Sequence, residues 1–166
     1  MQDLAKDVHD AVSQIEPLVP RLRHADASRW KADESGVIDL PRLQQDQGWR
    51  SVFEIDGLVS LLLARFELAL QEAAQRKDVT KAMRRFLNHM EGGGKPDGYF
   101  TDGSLAAGVV DMGVDVGLVT PTEAAVLKQK RPWRTSPFYL IDCSDYVELI
   151  VSNVKAVMQR IDAVHA

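Results

Sequence analysis

The segment from Ser51 to Gln75 limits what this chain can fold into more than any other. Val52, Ile55, Val59, Leu62, Leu63, Phe66, Leu70 and Ala73 recur at the three-to-four spacing of a helix face. Its centre, Leu58, Val59, Leu61, Leu62 and Leu63, is apolar nearly all round. A helix with so little polar surface has to be surrounded by other elements. Ser51 with Glu54 reads as the capping box that opens it. The fold is therefore expected to be helix packed on helix, with the rest of the chain supplying the partners.

Those partners can be traced along the sequence. Leu4, Val8, Ala11, Val12, Ile15, Val19 and Leu22 mark an amphipathic first helix that Pro17 and Pro20 should kink or end. Between Arg23 and Gly48 the pattern weakens into a long connection, with one short helix after Pro41. Asp78 caps a helix carrying Val79, Ala82, Met83, Phe86, Leu87 and Met90, and Gly92-Gly93-Gly94 stops it. Lys95 to Gly103 is dense in turn residues. Ser104 opens a helix with Leu105, Val109, Met112 and Val116 on one side, closing at Gly117. In Thr120-Pro121-Thr122-Glu123 the threonine caps, the proline takes the first helical position and the glutamate completes the box, for a helix reaching Arg131. Pro132 and Pro137 bracket an extended piece whose Phe138-Tyr139-Leu140-Ile141 is strand-like. A last helix opens near Asp145 and carries Val147, Ile150, Val151, Val154, Val157, Met158 and Ile161. The pattern predicts a single all-α domain over residues 1–166, an irregular bundle of roughly five or six helices with one long N-terminal connection and a Gly-rich loop.

Composition narrows the class of partner. The chain has 166 residues, 45% hydrophobic and 27% charged, which is the range of globular domains. A formal charge of −4 argues against a whole-domain affinity for nucleic acid or an anionic membrane. The lone Cys143 fits a reducing compartment. The stretch from Met1 to Asp7 lacks the basic and apolar regions of a signal peptide, and the longest apolar run, Leu58 to Ala64, is too short to span a bilayer. Cytoplasmic residence is the expectation, without a membrane partner and with nucleic acid an improbable one.

Motifs that suggest chemistry have simpler accounts. Gly92-Gly93-Gly94-Lys95 has the glycines and lysine of a phosphate loop, but Pro96 follows the lysine and a helix precedes the glycines, so it reads as a helix stop. Asp97, Asp102, Asp111 and Asp115 do not fall at the alternate positions of a calcium loop and read as an acidic, solvated surface. His9, His24, His89 and His165 are far apart and form no metal pattern. Asp142 and Asp145 beside Cys143 would raise its thiol pKa rather than activate it. No catalytic, cofactor-binding or metal-ligating residue is assigned, and no cofactor is expected.

Two basic stripes stand out. Lys77, Lys81, Arg84 and Arg85 fall within about two helical turns. Lys128, Lys130, Arg131 and Arg134 form a second group, with Trp133 beside it. Such stripes are ordinarily solvated faces, and their functional reading is docking of an acidic protein.

Gly117-Leu118-Val119, then Glu123-Ala124-Ala125-Val126-Leu127, then Leu140-Ile141-Asp142 and Tyr146 resemble the tail of bacterial long-chain acyl-CoA dehydrogenases. In that tail a Gly-Leu-Ile phrase opens a Glu-Ala-rich helix and an Ile-x-Val-Asp-Asp-Phe phrase follows. Phe66-Glu67-Leu68-Ala69-Leu70 is similar to the helix before it. The resemblance lies within residues 64–150 and has Cys143 at the place of the second aspartate. It implies a bacterial chain connected with acyl-group metabolism and brings over no active-site residue.

Two functions follow as expectations. The first is a non-catalytic helical protein-interaction module: a regulator, chaperone, immunity-type protein or assembly factor. The second is an accessory module of acyl-group metabolism, with Leu62, Leu63, Phe66, Met83, Phe86, Met90 and Met112 around a fatty acyl chain. The stripes Val8, Val12, Ile15 on the first helix and Val154, Val157, Ile161 on the last predict a homodimer built from terminal helices.

Overall fold

The computed structural model describes residues 3–23, 47–91, 107–129, 131 and 143–166, and among them the regular structure is helical throughout. Helix α1 (Leu4–Ile15) passes through a single 3-10 turn, Glu16–Leu18, into the short α2 (Val19–Arg23). The long α3 (Gln47–Lys77) is followed by α4 (Val79–Glu91), α5 (Ala107–Asp115), α6 (Pro121–Leu127) and α7 (Cys143–His165). With α1 and α2 taken as one rod, the described residues make a bundle of six helices.

Local chemistry sets most of the helix ends. Asp3 Oδ1 accepts the Lys6 amide at 3.0 Å to open α1. Pro17 has no amide to continue the ladder, and α1 ends at Ile15, with a 3-10 turn over Glu16–Leu18 leading into α2. Asp78 Oδ1 accepts the Lys81 amide at 3.0 Å, so one residue separates α3 from α4. Gly117, at φ +80°, closes α5. The Leu118 amide reaches the Gly113 carbonyl at 2.9 Å and the Gly117 amide that of Val114 at 3.1 Å, which is the Schellman pairing. Thr120 and Glu123 form the expected reciprocal box, with Glu123 N to Thr120 Oγ1 at 3.1 Å and Thr120 N to Glu123 Oε1 at 2.9 Å.

Three boundaries differ from expectation. α3 begins at Gln47, so Ser51 and Glu54 lie within its first turns rather than at its opening; a capping-box spacing inside a helix carries no start signal of its own. α6 ends at Leu127 rather than Arg131, because the chain leaves helical geometry past Lys128 and buries Arg131 against α3. α7 starts two residues before Asp145. The long connection after Arg23, Gly92-Gly93-Gly94-Lys95, Asp97, Asp102, Ser104, Pro132, Trp133, Pro137 and Phe138 to Ile141 lie outside the described residues.

The core surrounds α3. Ile55, Leu62, Phe66, Leu70, Ala73 and Ala74 are fully buried, and residues of every described helix from α1 to α7 join them in one cluster. α1, α2, α4, α5 and α7 all touch α3. This overturns the terminal-helix interface: Val8, Val12 and Ile15 on α1 and Val154, Val157 and Ile161 on α7 are all 5% exposed or less within a single chain. The two helices face α3 and each other, and Val8, Ile15, Val154, Val157 and Ile161 are at 0%. Their apolar stripes are covered without a partner.

α5 approaches α3 closely because Gly113 has no side chain. A Cβ there would lie 2.7 Å from Val119 Cγ2 and 3.1 Å from Leu70 Cδ1. Gly113→Ala is expected to cost about 1–3 kcal/mol through overpacking against a stiff valine, and Leu62→Ala about 2–5 kcal/mol through the cavity it leaves. Leu4→Ala, at the half-buried start of α1, should cost far less. Urea denaturation of the three variants checks this ordering.

Candidate docking surface

The basic residues separate into those consumed by the fold and those that are not. Arg131 is 2% exposed. Its Nη1 donates to Asp56 Oδ1 at 2.7 Å, to Ser60 Oγ at 2.7 Å and to the Asp56 carbonyl at 3.3 Å. Asp56 and Ser60 lie one turn apart on α3, where Ser60 Oγ also donates back to the Asp56 carbonyl at 3.0 Å. A buried guanidinium held by a carboxylate and a hydroxyl pins the chain after α6 to the central helix.

Arg160 of α7 does the same for α6. It donates through Nη1 and Nη2 to the two carboxylate oxygens of Glu123, at 2.6 and 3.1 Å, and through Nη1 to the Leu118 carbonyl at 3.0 Å. Burial pushes the Glu123 carboxyl up, but hydrogen bonds from Arg160 and from Thr120 outweigh it and leave the group below the ordinary carboxylate value. Lys128 pairs with Asp111, and Lys155 of α7 with Glu16 at 2.6 Å. His9 meets Asp162 at 3.1 Å, and Arg76 meets His165 Nδ1 at 3.0 Å.

The second predicted basic stripe is thereby dismantled. Lys128 answers an aspartate and Arg131 is interior, so neither belongs to a free basic face; Arg134 lies outside the described residues. Asp111, expected as open acidic surface with Asp115, is an ion-pair partner of Lys128.

Three residues of the first stripe lie on the surface. Lys77, Lys81 and Arg84 are exposed, and none forms an ion pair with another described residue. The side chain of Arg85 is outside the described set. Lys77 ends α3 with its ammonium beside the turn at Gly117, where it complements the carbonyl end of α5. Lys81 and Arg84, with Asn88 and Asp115, line an open cleft of about 440 Å³ between α4 and α5. Leu87, one turn beyond Arg84, is 51% exposed.

Two other clefts hold ion pairs of the fold. One of about 470 Å³ between the chain ends is lined by Asp3, Glu72, Asp162 and His165; Asp162 pairs with His9, and Glu72 and His165 meet Arg76. Another of about 440 Å³ between α2 and α7 is lined by Glu16 and Lys155, which pair with each other across it. Among the described residues no three His, Cys, Asp or Glu side chains converge as metal ligands.

Sequence reading missed Asp56, Ser60, Glu67 and Arg160. The first two carried a usable signal, a carboxylate and a hydroxyl one turn apart inside an apolar helix. Glu67 sits on the same helix with Oε1 buried and no hydrogen-bond partner among the described residues. Desolvation raises its carboxyl above the ordinary value.

Two expectations follow. Arg131→Ala leaves Asp56 facing a cavity and should cost about 2–4 kcal/mol, whereas Lys81→Ala should stay within about 0.5 kcal/mol; paired chemical denaturation curves decide it. The two glutamates should act oppositely on pH stability. Glu67, with its folded value raised, costs stability progressively as pH rises above about 4.5 toward that value, and the whole cost remains above it. Glu123, with its folded value lowered, contributes stability that is present above about 4.5 and is lost as pH falls through the folded value. Glu67→Gln should therefore raise the melting temperature at neutral pH and Glu123→Gln should lower it, with both differences shrinking in acid.

No family model matches the chain, and no curated protein or solved structure shows significant similarity to it.

Proposed function

We propose that this chain is a non-catalytic helical protein-interaction module that docks an acidic segment of another protein in the cleft between α4 and α5. The observation that carries the reading is the division of cations. Arg131, Arg160, Lys128 and Lys155 are all committed to carboxylates of the fold, while Lys77, Lys81 and Arg84 stand together beside an open cleft with no such partner among the described residues. In the groove Lys81 and Arg84 outnumber Asp115, so it is complementary to carboxylates although the chain as a whole carries −4.

Leu87 beside the stripe offers an apolar contact, which suits a peptide of mixed acidic and apolar character. The net charge disfavours nucleic acid as the partner. Such a role fits a regulator or assembly factor. The acyl-chain alternative is less favoured, since Leu62, Leu63, Phe66 and Met112 pack into the one core cluster.

The test uses a fluorescein-labelled peptide of alternating Glu-Glu-Leu units followed by anisotropy. Binding should weaken steeply with added salt. Lys81→Glu with Arg84→Glu should reduce affinity by about tenfold or more, since two attractions become repulsions. Lys155→Glu, on a different face, should leave affinity unchanged. Equal loss in both variants, or none in the first, would overturn the assignment.

A further inference from the structure

We draw no further inference here: the strongest candidate, the side-chain cluster of His9, Arg76, Asp162 and His165 where α1, α3 and α7 meet, is made of exposed groups that already pair with one another, and nothing in the structure shows what it would bind.

Discussion

Everything in this fold is placed by the need to remove the apolar surface of α3 from water. No single neighbour can cover a helix whose centre reads Leu58, Val59, Leu61, Leu62 and Leu63, and five other helices lie against it. Each fully buried large aliphatic or aromatic side chain contributes on the order of 1.5–3 kcal/mol relative to exposure, and Ile55, Leu62, Phe66 and Leu70 on this one helix are all at that limit. The polar contacts then select one arrangement among the many that would satisfy burial. Arg131 on Asp56 and Ser60, and Arg160 on Glu123, each join segments more than 30 residues apart in the chain and fix where α6 and its C-terminal extension sit.

Much of this was legible in the sequence where the signal is local. The Thr120 box, the Asp78 cap and the glycine stop at Gly117 depend on residues a few positions apart, and all three formed as their chemistry dictates. Pro17 also acted locally, since α1 ends at Ile15 in a 3-10 turn; the immediate restart as α2 depends instead on packing against α3 and α7 that no local propensity records.

What failed was long range. The stripes on α1 and α7 were real amphipathic faces, but periodicity tells which side of a helix is apolar and never what will cover it. α1 meets α3 and α7, so its stripe closes within the chain. Arg131 failed for the matching reason. Cations in sequence are read as solvated, and only the return of the chain to α3 brings a carboxylate and a hydroxyl 75 and 71 residues away within 2.7 Å. Lys81 and Arg84 stay exposed because α4 packs by its other face, and Lys77 is exposed at the C-terminal end of α3.

The central helix itself carries the subtler lesson. Apolar residues around most of a circumference suggest complete enclosure, but a bundle of this size closes only part of the way round, and Leu61 and Leu68 are left outside. A single exposed leucine is ordinary on any protein surface. The apolar excess of α3 thus goes chiefly into the chain's own collapse, and the partly exposed Leu61 and Leu68 are what the neighbouring helices do not cover.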